Sequence, residues 1–191
     1  YKNTLSLLLK GCRNIKRFGA ISPNYKENKN KKYNSILEEK KTLTGGAMLF
    51  QTSIFKKIGG FDKKIFLYYE DNDYFTKCRN KGLKLYQINN SYHFHEKKSS
   101  GSATFKTNQE KEYAYFLAGW HGQWSKFYYH KKYNGYFSAL KICLPNLLVN
   151  IIQLIINLPI NFKKTKYIYF KIEGLLTSMI GINSYKRSKF D

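Results

Sequence analysis

The stretch FLYYEDNDYFTKC, Phe66 to Cys78, gathers three acids, Glu70, Asp71 and Asp73, within four positions. The chain has only 12 Asp and Glu against 34 Lys and Arg, so the clustering needs a reason. Carboxylates in a first helical turn satisfy free N–H groups and complement the helix dipole. The spacing therefore predicts a helix from Glu70 to Lys81, stopped by Gly82. Capping alone accounts for the acids. It does not account for the features around them, which are a Gly–Gly break in an apolar run and a histidine-rich loop.

Working outward toward the N-terminus, Thr42–Phe50 (TLTGGAMLF) reads as an apolar strand broken at Gly45–Gly46. Glycine inside a strand marks a bulge or a close approach by ligand or backbone. Thr52 or Ser53 caps a short helix that stops at Gly59. Asn3–Lys10 has helical character, with Thr4 placed to cap and Gly11 to stop. Arg17–Pro23 reads as a strand ended by proline. Asn24–Lys41 is polar and lysine-rich and reads as a solvated loop. On the other side of the acids, Lys84–Ile88 reads as a strand and HFHEKKSSGS (His93–Ser102) as a loop.

Beyond Phe105 the pattern changes. Asn108–Tyr133 is aromatic and basic and reads as a long helix with Gly119 and Gly122 as places for a break. From Ile142 to Phe162 no residue is charged, a length near the ~20 apolar residues that span a bilayer. Asn146, Asn150, Gln153 and Asn157 nevertheless recur at spacings of four, three and four, between Pro145 and Pro159. One narrow polar stripe on an apolar helix favours packing on the domain or lying in a membrane interface over spanning. Lys131, Lys132 and Lys141 before the segment, with Lys163, Lys164 and Lys166 after it, suit anionic head groups.

The 191 residues suit one domain with an appendage, and 42% hydrophobic content supplies a core. A net charge of +22 points to an anionic partner. The excess is lysine, with only four arginines, whereas base and phosphate readout favours the arginine fork. Nucleic acid is therefore disfavoured, and an anionic membrane surface is kept. Cys12, Cys78 and Cys143 are odd in number and lack metal spacing, which fits a reducing cytosol.

Taken in order, TGGAMLF, GGFD (Gly59–Asp62), FLYYEDND (Phe66–Asp73), Lys81–Gly82 and HEKKSSG (His95–Gly101) form a composite pattern. It resembles the second half of bacterial family 2 glycosyltransferases of GT-A fold, especially the rhamnosyltransferase-like branch. The resemblance is close over Phe18–Ser102 and loose beyond. It implies an α/β fold, the C-terminal half of a GT-A mixed sheet with flanking helices, followed by a helical tail of membrane-associated composition. Residues 1–105 would be the acceptor-side half and 106–191 the helical extension.

The resemblance also implies roles. Asp71 would be the general base and Glu70 its orienting partner, with Asp73 a helix cap. Thr44, Gly45 and Gly46 would let backbone approach a sugar. His95 would be a metal ligand for a divalent cation, Mn2+ or Mg2+, that neutralises the leaving diphosphate. Partners would be a nucleotide-sugar donor (dTDP- or UDP-sugar) and a glycan or lipid-linked acceptor. The location would be cytoplasmic, peripheral on the inner face of the cell membrane. The family's upstream Asp-x-Asp motif does not occur in this chain, so the chain alone is expected to be inactive. A different class stays open: a non-catalytic basic module binding an anionic membrane or nucleic acid through the aromatic–lysine stretch Tyr113–Tyr133, with the acids only capping a helix.

Overall fold

A computed structural model describes residues 3–25, 30, 32–94 and 107–188. The chain forms two compact units. One takes the described residues of Tyr1–Asp62 and Asp71–Lys98, and the other those of Lys63–Glu70 and Ser99–Asp191.

The first unit is a small mixed α/β layer structure. Its elements in chain order are α1 (Thr4–Cys12), β1 (Ala20–Tyr25), β2 (Leu37–Lys40), α2 (Thr52–Lys57), α3 (Glu70–Asn80) and β3 (Leu85–His93). The strand order is β1-β3-β2, with β1 parallel and β2 antiparallel to β3. Side chains alternate across the sheet. Ala20 and Leu85 pack with Tyr74, Phe75 and Cys78 of α3. Ile21 and Ile88 pack with Leu8 of α1 and Phe18. Full burial of each large apolar side chain contributes roughly 1.5–3 kcal/mol.

The expected helix at Glu70 is present, and Gly82 takes the left-handed φ of 66° that stops it. Gly59 likewise ends α2, with φ 85°. Four expectations are corrected. Gly11 does not stop α1. The helix runs through it to Cys12, and a Cβ there would lie 2.5 Å from the Ile88 side chain, so glycine serves close packing on β3. Pro23 does not end β1 but sits within it, at a register shift against β3, where a missing N–H is tolerated. The supposed loop Asn24–Lys41 contains β2, whose Glu38 accepts hydrogen bonds from Lys40 and Asn89. Thr42–Phe50 is not a strand. A turn at Gly45–Gly46 leaves only the bridge of Leu49 to Ile21.

The second unit contains three helices, α4 (Asn108–Asn134), α5 (Tyr136–Asn157) and α6 (Phe162–Met179). Thr107 and Glu110 close a capping box at the start of α4. The helix is unbroken at Gly119 and Gly122. Gly119 and Gly174 instead allow close helix approach: a Cβ on Gly174 would lie 2.2 Å from the Trp120 carbonyl oxygen, and one on Gly119 2.6 Å from the Tyr167 ring. Pro145 does not bracket α5 but lies inside it, and packing against α4 and α6 carries the helix past the lost backbone bond.

Phe116, Trp120, Trp124 and Phe127 of α4 are buried. They build the cores against α5 and α6. Those four aromatics are taken up by the core, while Tyr115 is exposed and Tyr113, Tyr128, Tyr129 and Tyr133 are half-buried. All three cysteines are free.

Candidate functional site

The sequence folds the acidic cluster onto the first turn of α3, where its three members separate in environment. Glu70 is the first residue of the helix and is half-buried. Asp73 is fully buried and ion-paired with Lys77 at 3.0 Å. Lys77 also donates to the Gly60 carbonyl at 3.0 Å, tying α3 to the GGFD turn. Asp73 thus holds structure through an ion pair rather than serving only as a cap.

Asp71 is half-buried. Its Oδ1 accepts from the Asn72 backbone N–H at 2.7 Å and from Asn72 Nδ2 at 3.2 Å. Its Oδ2 points at the turn before α2 and lies 2.9 Å from where a Cβ on Gly45 would stand. Burial raises the Asp71 pKa above the ordinary carboxylate value, against the lowering effect of the Asn72 N–H. A carboxylate of raised basicity, partly open to solvent, can take a proton from a hydroxyl brought beside it.

The fold brings Gly45 to Asp71. Thr44 is half-buried and Gly46 exposed in the same turn. The GGFD turn is a structural device. Gly59 and Gly60 adopt φ of 85° and 52°, and Phe61 packs among Phe50, Phe55 and Tyr74 at ring distances of 5.3–5.9 Å. Tyr74 donates its hydroxyl to the Gly19 carbonyl at 2.8 Å, anchoring α3 to the sheet. His95 lies outside the described residues. His93 is buried in β3, its ring stacked on Tyr25 and its Nδ1 3.0 Å from the Asn24 carbonyl. Among the described residues, no three His, Cys, Asp or Glu side chains converge as a metal site.

Sequence reasoning missed one feature. Tyr68 and Tyr69, in the second unit, both hold positive φ, 63° and 67°. Left-handed backbone in bulky residues stores strain and persists only where surroundings enforce it. Here Ser125 donates to the Leu67 carbonyl at 2.9 Å, and Phe66 packs between His121 and the Arg187 guanidinium, 4.9 and 4.0 Å away. Tyr69 packs on Tyr129 at 5.4 Å. Nothing in the residue types signals the strain, because tyrosine carries no left-handed preference.

A family model described as the N-terminal domain of galactosyltransferase matches residues 28–98, less than half of the chain. The matched stretch holds the Gly–Gly turn, the GGFD turn and the acidic cluster. Residues 28–98 thus carry a glycosyltransferase-type domain, within a mixed α/β unit followed by helices. No curated protein and no solved structure matches the chain.

Proposed function

We propose that the chain is the acceptor-side half of an inverting glycosyltransferase of the family 2, rhamnosyltransferase-like kind, acting in cell-surface polysaccharide synthesis. A glycosyltransferase-type domain implies a nucleotide-sugar donor and an acceptor in general. In this reading the donor is a dTDP- or UDP-sugar and the acceptor a glycan or lipid-linked sugar. Asp71 takes the proton of the acceptor hydroxyl. The freed oxygen attacks the anomeric carbon, and the bond from that carbon to the diphosphate breaks, releasing the nucleotide. Glu70 orients the acceptor or the base. Thr44, Gly45 and Gly46 give the sugar backbone rather than side chain to approach. A divalent cation held in part by His95 would neutralise the leaving diphosphate.

The observation that carries the proposal is the approach of Gly45 to the Asp71 carboxylate, with partial burial raising that carboxylate's basicity. A positioned base contributes about 10²–10⁴-fold in rate. Asp71→Asn in the full-length enzyme should lose transfer by that order while donor affinity stays nearly unchanged. Near-normal turnover of that variant would overturn the assignment.

A further inference from the structure

The helix α5 packs one narrow face on the core and leaves a broad apolar face uncovered. It is long and apolar enough to cross a membrane by length and composition, yet only 22% of its most apolar window is buried within the protein. Two of its polar residues face inward. Asn150 is buried and accepts from Lys171 of α6 at 2.8 Å, and Asn157 is buried and donates to the Gln153 carbonyl at 2.7 Å. Ala139, Cys143 and Leu147 pack inward with Phe127 and Leu175, but most of the large apolar residues face out. Leu148, Ile152, Ile155 and Ile156 form one stripe at helical spacing, each more than half exposed. The stripe continues past the helix end through Ile160 and Phe162, 75% and 79% exposed. Contiguous apolar surface of this extent marks an interaction site.

Beside the stripe, α5 and α6 form an apolar groove of about 430 Å³, lined by Leu154, Ile155, Leu158, Phe162, Tyr169 and Phe170. Charge identifies the occupant. Between Tyr113 and Ile172 the sequence has no Asp or Glu and eight lysines. Lys131, Lys132 and Lys141 are exposed around the N-terminal end of α5, and Lys163, Lys164 and Lys166 around its C-terminal connection. An apolar face with cationic ends matches the acyl boundary and head groups of an anionic leaflet.

Spanning does not fit. The inward face of α5 packs on α4 and α6, so a crossing helix would drag Lys171 and its neighbours into hydrocarbon. We propose that the α5–α6 hairpin docks in the plane of an anionic phospholipid leaflet, its outer stripe among the acyl chains and its groove open to one of them. This goes beyond sugar transfer and does not depend on it.

The test is flotation of the full chain with vesicles of phosphatidylcholine containing phosphatidylglycerol, compared with phosphatidylcholine alone, in the absence of any donor. The expected result is flotation with the anionic vesicles. Ile152→Glu/Ile156→Glu should reduce binding at least tenfold with unchanged circular dichroism, since both sites are exposed. Lys163→Glu/Lys164→Glu should weaken the anionic preference while apolar contact persists. Failure to float, or equal binding to both vesicle types, overturns the proposal. So does a lipid-free dimer that the α5 variant splits without any vesicle binding, because that face would then belong to a second copy. Residue 161 labelled from one side of the membrane and residue 137 only from the other would show spanning and also overturn it.

Discussion

The Asp71 carboxylate occupies the space that a side chain on Gly45 would need, with Oδ2 2.9 Å from the missing Cβ. The backbone at Gly45 does not require glycine for a left-handed φ, since its φ is not positive. The residue is small because the carboxylate leans over it. The far end of a carboxylate can swing aside at little energetic cost, so Gly45→Ala should leave stability within about 1 kcal/mol, the scale of a surface substitution or somewhat more. It should nonetheless displace the proposed base. We expect kcat of the full-length enzyme to fall at least tenfold with thermal unfolding little changed. A fully active Gly45→Ala enzyme would separate the close approach from catalysis.

Asp71→Asn should separate stability from activity in the opposite sense. The folded-state pKa is raised by burial, so ionisation of Asp71 costs the folded state. Its favourable contribution is fully present below the unfolded value near 3.9 and is lost as pH rises through the raised folded value. Asparagine has nothing to ionise. The variant should therefore gain stability relative to the parent as pH rises above about 4 and stay level below it. Denaturant titrations of both proteins across pH 3.5–7 check this. A variant less stable at pH 7 than at pH 3.5, relative to the parent, would mean that the ionised carboxylate holds structure.

Much of the sheet unit was legible because its punctuation is local. Gly59 and Gly82 stop helices by a left-handed φ that few other residues tolerate, and the acids mark the start of α3. The strand β2 was not legible. Its LEEK sequence is charged at a sheet edge, so neither apolar alternation nor β-propensity announces it, and only pairing with Leu85–Ile88 makes it a strand. Gly11 and Gly119 looked like breaks because a glycine that permits close packing and one that ends a helix are the same letter. The four polar residues of α5 were visible, but the structure splits them, with Asn150 and Asn157 buried and Asn146 and Gln153 exposed, and periodicity does not say which members a neighbouring helix covers. At the site, the residue types alone read as helix caps, and the roles of Glu70 and Asp71 came from the resemblance. The approach of Gly45 to Asp71 joins residues distant in sequence and required the fold.

The two left-handed tyrosines give a prediction that contact inspection alone would miss. Tyr68 is 44% exposed, so removing its ring loses modest packing. Its φ of 63° costs roughly 1–2 kcal/mol for any residue with a Cβ. Tyr68→Gly relieves that strain and adds unfolded-state entropy of about 0.5–1 kcal/mol. Unfolding should stay near the parent midpoint. Tyr68→Val keeps the strain and adds a branched Cβ, so it should lose about 1 kcal/mol or more relative to Tyr68→Gly. Equal stabilities for the two variants would show that position 68 is not held left-handed in solution.

His121 contributes to the pH response of the helical unit. It is buried, its Nε2–H donates to the Lys186 carbonyl at 3.0 Å, and its Nδ1 accepts from the Ser184 hydroxyl at 3.1 Å. This neutral form holds the segment after α6 against α4, where Trp124 also donates to the Ile182 carbonyl at 2.9 Å. Burial lowers the His121 pKa to about 4, with Arg187 adding to the effect and the bond to Lys186 opposing it. A depressed histidine contributes stability that is present above the unfolded value near 6.5 and is lost as pH falls toward 4. The loss is at most about 1.4 kcal/mol per pH unit in that window. Other groups titrate there too, so the difference between parent and His121→Gln isolates the histidine. We expect the parent's advantage over the variant to shrink between pH 6.5 and 4 in denaturant melts followed by tryptophan fluorescence. A difference that stays constant across that window would mean that position 121 is protonated, or exposed, in the folded chain.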